Sequence, residues 1–234
     1  MPTMTITEFE NTLPNTFTNK KLLEQAFIHR SFINENPRTG LEHNERLEFL
    51  GDAILELITT EYLYIQYPHH NEGDLTAYRS ALVNAITLGD LATALDFNDI
   101  IKLSKGEAKD TFRARGSILA DAYEAFLGAL YLDQGYDAVK DFVTKTLLIK
   151  TDDVIKMGLY KDSKSFVQEK SQEEFGVTPV YKLIEEMGPD HDKRFKMAIY
   201  FDDKYIAEGE GKSKQEAEST AAKAALLVKG WIKG

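Results

Sequence analysis

The sequence predicts an all-α domain followed by a small α+β domain of order α-β-β-β-α. Three observations carry this. From Phe17 to about Leu148, apolar residues recur at spacings of three and four, the repeat of helices that bury one face. Beyond residue 162 the repeat changes, and short segments of alternating apolar and polar residues follow, as in half-buried strands. Charge is also unevenly shared: residues 1–158 hold 15 Lys+Arg and 24 Asp+Glu (net −9), and residues 159–234 hold 13 and 14 (net −1).

The elements follow in order. Loops are expected at NENPRTGLEH (34–43), QYPHHNEGD (66–74) and LSKGEAKDTFRARG (103–116), each rich in Gly, Pro, Asn or charge. TDDVIKMGLYKD (151–162) reads as the end of a last helix and a short linker, dividing the chain into domains at 1–156 and 163–234 with a linker at 157–162. SKSFVQEKSQEEFG (163–176) reads as a helix closed by Gly176, and PVYKLIEEM, RFKMAIYFDD and KYIAEGEG as three strands. In the middle one, Phe195, Met197, Ile199 and Phe201 alternate with Lys196, Ala198 and Tyr200, and Asp202-Asp203 supplies the next turn. Ser213 and Glu216 have capping-box spacing before a final alanine-rich helix.

Composition narrows the function. A chain of 234 residues with 43% hydrophobic content can build the cores of two modest domains. With no cysteine, disulfides, thiolate metal sites and cysteine nucleophiles are excluded. The start, MPTMTITEFE, lacks a basic region and an apolar core, and no apolar run approaches the roughly 20 residues that span a bilayer. These features predict a soluble, cytoplasmic protein without membrane contact. The net charge of −10 argues at first against a polyanionic partner.

The chemistry centres on HNERLEFLGD (43–52). On a helix advancing about 100° per residue, with Glu45 at zero, Glu48 falls at about −60°, Asp52 at about −20° and Glu56 at about +20°. Leu47, Leu50, Ile54, Leu57 and Ile58 gather opposite. Such a stripe suits a solvated amphipathic face as well as a ligand set. In SILADAYEAFLGALYLD (117–133), however, Asp121 and Glu124 share a face of a helix that is apolar nearly all round, where a carboxylate is costly to bury. Gly128, one heptad after Asp121, leaves space on that side. A divalent cation between the two helices removes both the repulsion and the desolvation; the alternative is ion pairing to Arg79, Arg113 or Arg115. Oxygen-only ligands favour Mg²⁺, with Mn²⁺ as a substitute, and that chemistry suits phosphodiester hydrolysis.

HNERLEFLGDAIL and SILADAYEAFLGALYLD together resemble the signature pair of ribonuclease III, and FIHRSFINEN, EGDLTAYRSALVN and LSKGE stand in the family's order. The tail resembles the double-stranded RNA-binding domain of bacterial members. The resemblance implies an all-α nuclease domain and a double-stranded RNA-binding domain. It makes Glu48, Asp121 and Glu124 the Mg²⁺ ligands, assigns catalysis to Asp52 and Glu124, and places Glu45 at the cleft and the RNA. It further implies a homodimer cutting both strands to 5′-phosphate and 3′-hydroxyl ends, in the processing of ribosomal RNA precursors, messengers and small RNAs. KDTFRARGSIL departs from the family by lacking Gly-Gly-Arg.

In the tail, the resemblance makes His191, in GPDHDKRF (188–195), a minor-groove contact. Ser165, Gln168 and Gln172 share one helix face and match positions that touch 2′-hydroxyls and base edges. Lys212 and Lys214 flank a helix start, which itself favours phosphate. Gln215 replaces a usual Lys or Arg, which predicts weaker phosphate attraction. Two other readings use the same residues: a non-catalytic RNA-binding protein, which has no need of Glu48, Asp52, Asp121 and Glu124 together, and an all-α enzyme of small diphosphates, which leaves the tail unexplained.

Overall fold

The computed structural model describes residues 4–109, 113–156, 163–189 and 193–232. The chain divides into two compact units, Met1–Asp152 and Asp153–Gly234.

The first unit is helical: α1 Ile6–Glu10, α2 Lys20–Ala26, α3 Arg30–Glu35, α4 Glu45–Gln66, α5 Glu72–Leu82, α6 Ala85–Ala94, α7 Phe97–Ile100, α8 Arg113–Gln134 and α9 Tyr136–Thr146, with α10 Thr151–Lys156 spanning the boundary between the units. α8 is central, packed against α2, α4, α6 and α9. Ala122, Tyr123, Ala125, Phe126, Leu127 and Ala129 are fully buried along it, which explains why its sequence is apolar nearly all round. Phe9, Phe27, Phe97 and Phe126 form an aromatic cluster with ring centroids 4.8–6.2 Å apart, mostly edge to face, the arrangement favoured by ring quadrupoles.

Three element ends differ from the sequence expectation. α1 precedes Phe17, held by a capping box in which Thr5 accepts from Glu8 N–H and Glu8 accepts from Thr5 N–H. α5 begins at Glu72, inside the expected loop, because Asn71 caps it by accepting from Asp74 N–H. α8 likewise begins at Arg113 rather than after residue 116.

Backbone braces fix the approach to α4. His29 N–H donates to Lys102 O (3.1 Å) and Lys102 N–H to Phe27 O (2.8 Å), while Asn44 N–H donates to Ile28 O (2.9 Å). The buried Asn44 side chain also donates to Ala26 O at 3.1 Å. The segment preceding α3 is thereby fastened to the start of α4.

The second unit has α11 Ser163–Phe175, β1 Pro179–Met187, β2 Arg194–Phe201, β3 Lys204–Gly211 and α12 Lys214–Val228. The sheet is antiparallel in order β1-β2-β3. Asp202 takes φ 52° in the two-residue turn, a conformation Asp tolerates better than most residues. Met197, Ile199 and Phe201 are buried as the alternation predicts and Phe195 is part-buried; Ala198, a small residue between Lys182 of β1 and Glu208 of β3, is buried too. Ala217, Ala221 and Ala225 are fully buried, and α12 packs closely on β2 and β3. Trp231 stacks on Phe201 (5.9 Å, 18°) and donates to Glu174 at 2.8 Å.

Candidate metal centre and nucleic-acid interface

α4 carries three stripes rather than the two expected. Leu47, Gly51, Ile54, Leu55 and Ile58 are buried. The acids lie to one side of them. On the other side, Phe49 (80% exposed), Leu57 (57%) and Tyr64 (74%) form an apolar stripe in solvent. Leu57 therefore does not belong to the packed face, because α8 covers only one side of the helix. At about 100° per residue, Glu48 stands at the edge of the buried arc, whereas Glu45, Asp52 and Glu56 are turned outward.

Two glycines bring the carboxylates together. A Cβ on Gly51 would overlap the Glu124 carbonyl oxygen, and one on Gly128 would overlap that of Leu47. α4 and α8 thus cross backbone to backbone, which only glycine permits. The crossing places carboxylate oxygens of Glu48, Asp121 and Glu124 within 4.8 Å of one another, all part-buried. Asp52 stays exposed beside this cluster, with its charge acting on Glu124.

The electrostatics are those of a cluster only partly compensated, by the charge of Arg30 acting on Glu48 and Asp121. Burial, then the charges of Asp121, Glu45 and Asp52, push Glu48 up to about 7. Burial, then Asp52, Asp121 and Glu48, push Glu124 up to about 8. Burial also raises Asp121. Neither Arg79 nor Arg115 answers these charges: Arg79 donates to Thr60 (3.0 Å) and Arg115 to Asn98 (2.7 Å), while the Arg113 side chain lies outside the described residues. Three convergent oxygen donors in a part-buried, electronegative cleft suit a hard divalent cation.

Glu45 is outside the cluster. Arg30 lies 3.5 Å and His43 Nδ1 3.7 Å from its two oxygens. His29, Arg30, Asn44, Glu45, Glu48 and Asp121 line one cleft. Of these, Asn44 and the Arg30–Glu45 pairing escape a reading of the sequence, since both depend on contacts between segments. Gly51 escapes it too, since its pairing with Gly128 depends on how two helices cross.

In the second unit, Ser165, Gln168 and Gln172 are exposed on α11 at spacings of three and four. Lys212 and Lys214 are exposed on either side of Ser213, the N-cap of α12, whose hydroxyl accepts from Glu216 N–H at 3.1 Å. His191 lies outside the described residues.

The architecture and these two surfaces define a two-domain protein: a helical domain able to hold a divalent cation on carboxylates, and an α-β-β-β-α domain with a polar helix face and lysines at a helix start. Comparison with known proteins is consistent throughout. Residues 19–151 match the family described as Ribonuclease-III-like, and residues 163–229 match the double-stranded RNA binding motif. The chain is 46% identical over 222 residues to "Ribonuclease 3" of Geobacillus kaustophilus, covering 94% of this chain and 89% of that protein. It is 45% identical over 210 residues to "Ribonuclease 3" of Streptococcus pneumoniae, covering 90% of each. The nuclease domain of ribonuclease III from Campylobacter jejuni superposes with a TM-score of 0.54 at 38% identity, over 61% of this chain and 94% of that one. The chain belongs to the ribonuclease III family and is an endoribonuclease acting on double-stranded RNA.

Proposed function

We propose that the protein is a Mg²⁺-dependent homodimeric endoribonuclease that cuts duplex RNA to 5′-phosphate and 3′-hydroxyl ends. The observation that carries this reading is the Glu48–Asp121–Glu124 cluster, three carboxylates held together with no cation of the described residues paired to Asp121 or Glu124. The donor set fits Mg²⁺, with Mn²⁺ as a substitute. A bound ion supplies an activated water and neutralises charge on the phosphate. Glu48, Asp121 and Glu124 would hold it. Asp52, exposed beside them, and Glu124 would orient the attacking water, one of the two accepting its proton.

The exposed stripe of Phe49, Leu57 and Tyr64 supports pairing of nuclease domains, since such a patch costs solvation unless covered. The solved Campylobacter domain is itself described as having a region involved in dimer formation. Two sites then address two strands. In the second domain, Ser165, Gln168, Gln172 and His191 read the minor groove, and Lys212 and Lys214 take phosphates; recognition is of A-form shape over about 16 base pairs. The domains take the bounds 1–156 and 163–234, and the substrates are cytoplasmic ribosomal precursors, messengers and small RNAs. No described helix is long and apolar enough to cross a membrane.

The test is a denaturing gel of end-labelled duplex RNA with Mg²⁺, beside Glu124→Gln and a chelator. Cleavage of duplex but not single strands, lost in both controls, is expected. A duplex left uncut yet retarded on a native gel would replace catalysis with binding alone.

A further inference from the structure

Arg30 is held over the carboxylate cleft by its neighbours. His29 caps α3, its ring accepting from Ser31 N–H at 3.3 Å and lying 2.8 Å from the Ser31 hydroxyl. That hydroxyl in turn accepts from Ser104 N–H at 3.1 Å. With the His29–Lys102 and Asn44–Ile28 backbone bonds, both flanks of Arg30 are fixed against the start of α4. Its side chain nevertheless projects into solvent, 67% exposed, and touches protein through one long bond to Glu45 at 3.5 Å.

An exposed ion pair of that length adds little to stability, so stability does not account for so braced a residue. Guanidinium has five N–H donors in a fixed fork, and among the described residues that of Arg30, which lines the cleft, makes one hydrogen bond, to Glu45. The same cleft is lined by Glu48 and Asp121, and the positive charge of Arg30 acts on both. A phosphate held at the cluster would lie in the cleft that Arg30 also lines.

We infer that Arg30 contacts the substrate, its guanidinium donating to a non-bridging phosphate oxygen of the RNA strand at the carboxylate cluster, and that Glu45 is the residue that positions it. This rests on the metal-nuclease reading above. It also gives Glu45 a definite role, because with Arg30 and His43 beside its oxygens Glu45 is kept from the ligand set and aims the fork.

The experiment measures single-turnover cleavage of duplex RNA at saturating Mg²⁺ by the native protein, Arg30→Ala, Arg30→Lys, Glu45→Gln and the Arg30→Ala/Glu45→Gln pair, each checked for native helicity. Arg30→Ala is expected to slow cleavage about 100–1000-fold, the loss typical of one preorganised donor. Arg30→Lys should recover part of it. Glu45→Gln should slow the native protein several-fold and the Arg30→Ala protein not at all. As a readout without turnover, duplex binding by Glu124→Gln with and without Arg30→Ala is followed over a salt series; losing one phosphate contact should flatten the log–log slope by about one. An Arg30→Ala rate within about twofold of native, or an unchanged slope, overturns the contact; fully multiplicative Arg30 and Glu45 effects overturn the positioning role. If the native protein cuts and Glu124→Gln does not, either failure leaves the metal-nuclease reading standing. A native protein that leaves duplex uncut overturns both.

Discussion

Glu124→Gln should stabilise the metal-free protein at high pH and destabilise it relative to native when Mg²⁺ or Mn²⁺ is present. The folded state raises Glu124 from 4.5 to about 8. Below about pH 4.5 the carboxyl is protonated whether folded or not, and ionisation costs the fold nothing. As pH rises from about 4.5 to about 8, the unfolded chain releases its proton while the folded one retains it, so stability falls; above about 8 the loss is complete. At 1.36 kcal/mol per unit, the ceiling is about 5 kcal/mol. Glu124 is only part-buried and shares its repulsion with Glu48, so solvent screening and coupling reduce this to about 1–3 kcal/mol. Glutamine keeps the shape without the charge. Urea unfolding in chelator, followed by helical circular dichroism, should show no gain for the variant near pH 4.5 and about 1–3 kcal/mol at pH 8.5. Trp231, the one tryptophan, lies in the second unit, so its fluorescence should not shift. In saturating Mn²⁺ the order should invert, because the ion converts repulsion into coordination. A variant gain that is equal at both pH values, or absent in chelator, would refute the account of these carboxylates as an incompletely neutralised cluster.

Gly51→Val should force α4 from α8 at the crossing, costing about 1–3 kcal/mol or more by overpacking and abolishing cleavage while duplex is still retained on native gels. Phe49→Asp should convert dimer to monomer in sedimentation velocity, through a charge placed in the exposed apolar stripe. Gln215→Lys should tighten duplex binding several-fold and steepen its salt slope by about one, since residue 215 is exposed in the first turn of α12; equal affinity at low salt would remove Gln215 from the phosphate-facing surface.

What could be read from the sequence was what depends on neighbours along the chain. The acids of α4 and α8 announce themselves because repelling or desolvated carboxylates are locally anomalous, and α12 because Ser213 and Glu216 are a capping box. The same logic applied to Thr5 and Glu8 points to α1, a signal present and unread. The exposed stripe of α4 was not separable in this way: Leu57 and Leu47 are equally apolar in sequence, and only the position of α8 decides which of them is covered. Nor were the braces around Arg30, which join Ser31 to Ser104, 73 residues on, and Ile28 to Asn44, with no local pattern. Sequence periodicity finds the faces of helices; it does not say which face meets which.

The acidity of the protein follows from this division. Glu45, Glu48, Asp52, Asp121 and Glu124 crowd one region of a domain already short of cations, with a net charge of −9 over residues 1–158. A polyanion is repelled from such a surface unless something offsets it; on the reading proposed above, divalent ions and Arg30 do so, and RNA engagement by the nuclease domain should then follow occupancy of the carboxylate cluster. The second domain, at net −1 over residues 159–234, has no such cluster among its described residues and presents Lys212 and Lys214 at a helix start. By the same reading its hold on duplex should depend on salt rather than on metal, and two affinities governed by different ions would let the chain retain RNA before the cutting site is loaded. Overall net charge, the quantity that argued against RNA at the outset, averages over both domains and describes neither.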